Sequence, residues 1–264
     1  MRKYLNDKIV TIRKRVLLSY VIFAIIGLFF SCQKKVEIVD VSVCPDDLNA
    51  NMYFRGYVTD DEEELVSQIH DFNRKVVRKD TVDGKTVFVF ESNGTDNYYF
   101  RDNEGTVWQK VSENLSDRVV TYGYSFKKPC VLNTWNILLK QTEGKGTKWS
   151  EFVDTSFTVV NLKGEPQQIR YIHVGKAKNN GWQNVFIPQT YRYEKAIDAY
   201  WYKLDTTILN ETTGDTLFVN TGTAHQYFIE KLGAVKYISD FIKKEKNKPQ
   251  VRLHGTWELV RMVH

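Results

Sequence analysis

The feature that most limits the fold is a series of short segments in which apolar and polar residues alternate. The segments 86–92 (TVFVFES), 97–100 (NYYF) and 106–111 (TVWQKV) are rich in β-branched and aromatic residues, a composition that favours strands. Turn residues separate them, with Asp83-Gly84 before the first segment and Asn93-Gly94 after it. Short strands joined by such turns predict antiparallel hairpins.

The same alternation continues through the second half of the chain. Turn residues again stand between the segments, at 102–105 (DNEG), 164–166 (GEP) and 212–215 (TTGD). Further strands are expected at 118–126, 156–162, 167–175, 206–211, 216–220, 234–242 and 251–263. The sequence therefore predicts an all-β or β-dominated fold, an antiparallel meander of hairpins that forms a large curved sheet or half-open barrel.

One segment departs from this pattern. Apolar residues between Leu65 and Val76 recur at intervals of four, three and four residues, and Thr59 with Glu62 has the form of a capping box at a helix N-terminus. The hairpin centred on Asp83-Gly84 takes the end of the same stretch. We therefore expect either a short helix at 60–72 or a long strand whose spacing only resembles that of a helix.

The start of the chain has the composition of an export signal. Residues 1–31 contain six basic residues and one acidic residue, and Val16 to Phe30 carries no charge. A basic segment followed by a 7–15-residue apolar segment is typical of a secretory signal peptide. A permanent membrane-spanning helix needs about 20 apolar residues, so this segment is short for one.

A cysteine directly follows the apolar segment. The residues Leu28-Phe29-Phe30-Ser31-Cys32 resemble the lipobox of bacterial lipoproteins, although Phe29 stands where that family usually has leucine. The resemblance implies cleavage between Ser31 and Cys32 and acylation of the Cys32 thiol, with membrane lipid as the partner; more than one acyl chain is needed for firm anchoring. The alternatives are an ordinary cleaved signal peptide, an uncleaved anchor and a chance cysteine.

The domain organisation follows from this interpretation. We expect a signal peptide at 1–31 that is removed, an acylated N-terminus and tether at 32–43, and a single β-rich domain at 44–264. The whole chain has 37 basic and 32 acidic residues, so removal of 1–31 leaves 31 of each. A balanced charge argues against a nucleic-acid partner.

The residues after Cys32 bear on localisation. They are Gln33-Lys34-Lys35, so neither an aspartate in the second position nor an acidic cluster is present. We therefore expect a lipid-anchored protein of the outer membrane, with the periplasmic face favoured over the cell surface.

Signatures of catalysis and metal binding are missing from the sequence. It has no GxSxG or GxxxxGK[ST] motif and no HExxH or Cys-x-x-Cys pair. The histidines occur singly, at His70, His173, His225, His254 and His264. We predict no catalytic residue, no metal ligand and no cofactor, and we favour a protein that is not an enzyme.

Two cysteines remain besides Cys32. An exported chain meets an oxidising compartment, so Cys44 and Cys130 could form a disulfide. The alternative is two separate buried thiols.

The many aromatic residues leave the function open. They either pack both faces of the sheet or line a surface for an acyl chain or a sugar. They are Tyr98-Tyr99-Phe100, Trp135, Trp149, Trp182, Tyr191, Tyr193 and Tyr200-Trp201-Tyr202.

Three segments carry a second resemblance. The sequences DGKTVFVFES, YYFRDNEGTVWQKV and YFIEKLGAVKYIS resemble β-rich envelope lipoproteins of unknown function, some shaped like the half-open barrels that carry lipids or lipoproteins. This resemblance implies no catalytic residue. We expect a membrane-anchored, non-catalytic binding or scaffolding module, with a hydrophobic ligand or an envelope protein as partner. The alternatives are a protein-docking subunit of an envelope complex and a glycan-handling accessory or hydrolase.

Overall fold

Antiparallel strands make up most of the chain that the structure describes. The structure is a computed structural model, and it describes residues 51–62, 65–68, 71–92, 94–126, 128–141, 144–230 and 232–263. These residues belong to one compact unit that spans residues 39–264. The expected signal peptide and tether, with Ser31, Cys32 and Cys44, lie outside the described residues.

The described residues form 14 strands and one short helix. The strands are β1 (Asn51–Thr59), β2 (Leu65–Gln68), β3 (Phe72–Val82), β4 (Lys85–Ser92), β5 (Thr95–Arg101), β6 (Thr106–Asn114), β7 (Tyr124–Ser125), β8 (Val131–Lys140), β9 (Lys148–Asn161), β10 (Pro166–Ile187), β11 (Arg192–Asn210), β12 (Asp215–Ile229), β13 (Gly233–Glu245) and β14 (Val251–Val263). The helix is α1 (Leu115–Val120). Within this part of the chain, no helix has the length and apolar character needed to cross a membrane.

The strands belong to one open antiparallel sheet, which confirms the predicted fold class. Its order is β7, β9, β10, β11, β12, β13, β14, β1, β3, β4, β5, β6, β8, and β2 pairs with β1 beside this order. The sheet is not closed into a barrel. The first and last strands pair with each other, as Asn51 opposite Val263 shows.

The predicted hairpin at Asp83-Gly84 is confirmed. Val82 of β3 pairs with Lys85 of β4, and the two residues between them have φ values of 52° and 73°. A two-residue hairpin of this kind needs positive φ at both central positions, which aspartate tolerates and glycine adopts freely.

The helix considered for 60–72 is wrong, because the described residues of this segment form a turn and strands. Residues 65–68 form β2 against β1, and β3 begins at Phe72. The backbone N–H of Glu62 donates to Oδ1 of Asp60 at 3.0 Å, so the acidic residues form a turn rather than a helix cap. Phe72 stacks on Phe54 at 4.9 Å, and this packing holds the chain in the sheet. The other alternative was one long strand. The described residues belong instead to two strands, β2 and the start of β3.

The strand predicted at 118–126 is also wrong over most of its length. Residues 115–120 form α1, and only Tyr124 and Ser125 form a strand. The side chain of Asn114 accepts a hydrogen bond from the backbone N–H of Ser116 at 3.1 Å and so caps the helix. Leu115 and Val119, four residues apart, are both fully buried, and this burial favours a helix over the local strand propensity.

The sheet curves until its distant strands touch. Val107 and Leu139, from β6 and β8, share a buried cluster with Trp149 of β9 and Trp201 of β11. The indole N–H of Trp149 donates to the carbonyl oxygen of Ile137 at 3.1 Å. The face that carries Trp201 is thus covered by the sheet's own far strands. Successive residues of a strand point to opposite faces, so the neighbours of Trp201 point to the other face.

Candidate ligand-binding groove

An open groove of about 560 Å³ crosses β10 to β14. Its lining is mostly polar and charged, and it includes Lys176, Tyr202, Lys203, Asp205, Asp240 and Arg252. Gly222 of β12 also lines the groove. A side chain at this position would stand 2.1 Å from the carbonyl oxygen of Asp240, so only glycine allows the strands to lie this close.

A β-bulge shapes one wall of the groove. Across β10, Lys176 pairs with Lys203 while the next residue pairs with Trp201, so Tyr202 is the extra residue of β11. The register with β12 shifts at the same place. Tyr202 and Lys203 are consecutive, yet both line the groove. A bulge turns a side chain in this way, and bulges are frequent beside functional sites.

A buried carboxylate holds an imidazole next to this groove. Asp198 of β11 is 1% exposed, and its two carboxylate oxygens lie 3.0 and 2.9 Å from Nδ1 of His225 on β12. The side-chain amide of Asn180 donates to Oδ2 of Asp198 at 2.9 Å. The carboxylate favours the tautomer that carries its proton on Nδ1. Nε2 of His225 then has its lone pair free, with no hydrogen-bond partner among the described residues.

Tyrosine rings fix the plane of the imidazole. Tyr200 is the cross-strand partner of His225, and the two rings stack at 4.3 Å with an interplanar angle of 12°. The ring of Tyr227 lies at 6.0 Å and 11° from the imidazole, and the ring of Tyr202 lies 6.4 Å from that of Tyr200. Because Tyr202 lines the groove, this aromatic row connects the imidazole to it.

Burial and charge affect the titration of one of these rings. Partial burial raises the pKa of Tyr227 to about 12, and the negative charge of Asp198 acts in the same direction. Both effects disfavour the phenolate. Tyr227 therefore keeps its hydroxyl proton at neutral pH and can donate a hydrogen bond.

Ion pairs hold the charged wall of the groove in place. The guanidinium of Arg252 donates to Asp240 twice, from Nε to Oδ1 at 2.9 Å and from Nη2 to Oδ2 at 2.6 Å. These bonds lower the pKa of Asp240 below its usual value and raise the pKa of Arg252. Lys203 lies 3.0 Å from Asp205, which also accepts a hydrogen bond from the hydroxyl of Thr221. Carboxylates and cations in fixed positions suit the recognition of hydroxyl groups.

Two further cavities differ from the groove. One of about 360 Å³ lies beside α1 and is lined by Arg118, Lys243 and Glu245 among others. The other is lined mainly by apolar residues such as Phe90 and Phe228, and its volume is about 20 Å³. This is roughly the space of one water molecule, so it does not offer room for an acyl chain.

His173 has the surroundings of a structural histidine. Its Nε2 lies 2.9 Å from Oε1 of Glu151, and its Nδ1 lies 3.0 Å from the hydroxyl of Thr206. Both ring nitrogens are thus occupied by protein groups. Glu151 extends over Gly175, where a side chain would stand 2.5 Å from it.

The structure does not test the residues predicted to be cleaved, acylated or paired in a disulfide. Ser31, Cys32 and Cys44 lie outside the described residues, so lipidation, cleavage and the Cys44–Cys130 disulfide remain predictions. Cys130 is half-buried beside α1, where its backbone N–H donates to the hydroxyl of Ser116 at 3.0 Å. In the described parts of the chain, no three His, Cys, Asp or Glu side chains are grouped so as to hold a metal ion.

Sequence reasoning missed the pair Asp198 and His225. One signal was present, because Asp198 stands between Ile197 and Ala199 in a strand rich in apolar residues. A carboxylate at such a position is buried only when a partner satisfies it. The partner could not be found from spacing, because it lies on the next strand.

The similarities of this chain to solved structures are low in both sequence identity and TM-score. No protein-family model matches the chain, and no curated protein matches it. One similar solved structure is a candidate lipoprotein from Parabacteroides distasonis, with 12% identity, a TM-score of 0.41, and coverage of 84% of this chain and 99% of that one. Another is a candidate exported protein with a YmcC-like fold from Bacteroides fragilis, with 12% identity, a TM-score of 0.36, and coverage of 84% and 98%. Function is therefore argued from the groove.

Proposed function

We propose that this protein is a membrane-anchored envelope lipoprotein whose β domain is a non-catalytic binding module for a hydroxyl-rich ligand, a glycan. The observation that carries the proposal is the imidazole of His225, fixed by the buried Asp198 and adjacent to the groove. A buried carboxylate that orients a partly exposed imidazole is typical of a ligand-binding or reacting histidine.

The surroundings of the imidazole favour a glycan. Nε2 of His225 can accept a hydrogen bond from a sugar hydroxyl, and the hydroxyl of Tyr227 can donate one. The carboxylates of Asp205 and Asp240 and the guanidinium of Arg252 supply further acceptors and donors. The partly exposed ring of Tyr202 offers an apolar surface for a sugar ring.

The ion pairs support binding rather than hydrolysis. Glycoside hydrolysis uses two carboxyl groups that face each other across the scissile bond, one of them as an acid. In the groove, Asp205 is paired with Lys203 and Asp240 with Arg252. Arg252 holds the pKa of Asp240 below its usual value, and such a carboxylate is a poor proton donor at neutral pH.

The hydrophobic ligand expected from the sequence receives less support. The groove and the cavity beside α1 both include charged side chains in their lining, and the mainly apolar cavity holds about 20 Å³. A hydrophobic ligand and a protein partner remain predictions, to be tested by analysis of what copurifies with the chain.

The anchoring part of the proposal rests on the sequence. Ser31-Cys32 after an apolar segment supports acylation of Cys32, and Gln33-Lys34-Lys35 supports the periplasmic face of the outer membrane. The domain would then reach glycans of the envelope near the membrane surface.

Glycan binding is tested with the full-length chain in mild detergent on an array of envelope-type oligosaccharides, followed by calorimetry with those that bind. Tyr202→Ala removes a ring that lines the groove, and Tyr193→Ala removes an exposed ring of the β10–β11 hairpin. We expect Tyr202→Ala to weaken binding about tenfold, the equivalent of one stacking contact, and Tyr193→Ala to leave it unchanged. No binding to any oligosaccharide, or an equal loss in both variants, would reject the proposal.

A further inference from the structure

Three lysines gather at the β10–β11 end of the groove. Lys176 of β10 and Lys203 of β11 are direct cross-strand partners, and both line the groove. Lys178 lies two residues further along β10, so it points to the same side of the strand. Its Nζ lies 5.3 Å from the centre of the Tyr200 ring, next to the imidazole of His225.

Two of these lysines form no ion pair with a described residue, although the buried carboxylate of Asp198 contacts His225 nearby. Like charges directly opposite each other on neighbouring strands destabilise a sheet. Asp205 pairs with Lys203 at 3.0 Å, but no described carboxylate forms an ion pair with Lys176 or Lys178. Two ammonium groups therefore flank the aromatic row without an ion-pair partner among the described residues.

At the other end of the groove, positive charges are paired with carboxylates. Asp240 there is bound by Arg252, and Asp240 and Asp61 lie 3.6 and 3.4 Å from the imidazole of His254. The groove is thus positive where β10 and β11 meet and compensated at β13 and β14. A ligand that matches it has its negative charge at one end.

We infer that the ligand of the groove is an anionic glycan whose carboxylate, phosphate or sulfate group binds between Lys176 and Lys178. This inference rests on the proposed glycan binding and specifies its ligand class. The anionic group forms charge-assisted hydrogen bonds with the two ammonium groups. The neighbouring sugar hydroxyls then reach Nε2 of His225, and the like-charge repulsion between Lys176 and Lys203 is relieved when the site is filled.

The inference is tested by calorimetry on the full-length chain with matched probes. The probes are oligogalacturonates, the same oligosaccharides with their carboxylates reduced to alcohols, and phosphorylated and sulfated oligosaccharides of equal length. We expect the anionic forms to bind about tenfold more tightly than the reduced form, the ratio that one charge-assisted hydrogen bond supports. The preferred anionic form identifies the kind of group that the lysines recognise.

Two double variants complete the test. Lys176→Gln with Lys178→Gln should remove the preference for anionic forms, so that the anionic and reduced forms bind this variant with equal affinity. Lys163→Gln with Lys195→Gln alters the net charge equally at exposed positions outside the groove lining and should keep the preference. Equal binding of anionic and reduced forms by the native chain would overturn the inference and leave glycan binding standing. A preference that survives the first double variant, or is lost in the second, would also overturn it, and failure of every form to bind would reject both proposals.

Discussion

The carboxylate of Asp198 on β11 contacts the imidazole of His225, which lies diagonally opposite on the neighbouring strand β12. Asp198 is paired with Tyr227, and His225 is paired with Tyr200, so the two polar residues are not direct partners. Both carboxylate oxygens nonetheless lie within 3.0 Å of Nδ1. The carboxylate is 1% exposed, whereas the histidine side chain is 34% exposed. Asp198 is therefore buried within the fold, whereas the side chain of His225 is partly accessible to solvent.

Asp198→Asn tests this arrangement. The amide removes the charge that fixes the tautomer, so we expect glycan affinity to fall about tenfold and the free energy of unfolding to fall by about 1–3 kcal/mol. Calorimetry and chemical denaturation measure the two effects. Asp154→Asn, at a carboxylate paired with Arg170 on exposed strands, should leave affinity unchanged. Unchanged affinity in Asp198→Asn would show that the imidazole does not contact the ligand.

Gly222→Ala tests the close approach of β12 and β13 at the groove. The added carbon would meet the carbonyl oxygen of Asp240 at 2.1 Å, and a backbone atom cannot move aside as a side chain can. We expect the free energy of unfolding to fall by about 3 kcal/mol. Gly214→Ala, in a turn with φ of 77° and no atom within 4 Å of the added carbon, should cost about 1 kcal/mol through backbone strain alone. Equal losses in denaturation experiments would contradict this packing.

A local signal in the sequence is enough to predict the hairpin between β3 and β4. Asp83-Gly84 turns the chain because both residues accept positive φ, and this property belongs to the residues themselves. The pairing of β1 with β14 is different, because Asn51 and Val263 stand at opposite ends of the domain. No local pattern specifies such a partner, since every strand edge offers the same backbone groups.

The short helix and the site escaped prediction for related reasons. Thr59 and Glu62 have the form of a capping box, but the packing of Phe72 on Phe54 keeps this part of the chain extended. The helix cap that does form is Asn114. Leu115 and Val119 follow it, and their burial favours the helix. Asp198 and His225 meet only because β11 and β12 adopt one particular register. Tertiary contacts thus override local propensity in each case.

Phe54→Ala tests the core on which the non-local pairing depends. Phe54 is 0% exposed and packs against Phe72 at 4.9 Å and Trp257 at 5.4 Å. Loss of this ring should lower the free energy of unfolding by about 3–5 kcal/mol. The matched change Phe152→Ala, at a ring that is 66% exposed, should alter it by about 0.5 kcal/mol or less. Denaturation midpoints that respond alike to both changes would refute the arrangement of the core.

The raised pKa of Tyr227 predicts a loss of stability at alkaline pH. Its pKa is raised from 10.0 to about 12 by burial and by Asp198, so the folded state holds this proton more tightly than the unfolded state. The resulting stability is fully present below pH 10 and is lost as the pH rises through about 12. Tyr227→Phe should therefore show a shallower decline of unfolding free energy across this window than the native chain, whereas Tyr193→Phe should match the native chain. The difference in phenolate absorption between the native chain and Tyr227→Phe isolates the titration of this group, and identical declines of unfolding free energy in all three would contradict the assignment.

Acylation of Cys32 would hold the domain that carries the groove at a membrane surface. A single acyl chain binds a bilayer only marginally, whereas two or more hold a protein firmly, so the lipobox interpretation predicts stable recovery in the membrane fraction. Cells fed radiolabelled palmitate should incorporate the label into the native chain and into Cys130→Ala, and the mature N-terminus should be Cys32. Cys32→Ala should carry no label and should be recovered in a different fraction from the native chain. Label on Cys32→Ala, or a native N-terminus at another residue, would remove the anchor and with it the expectation that the ligand is met beside the membrane.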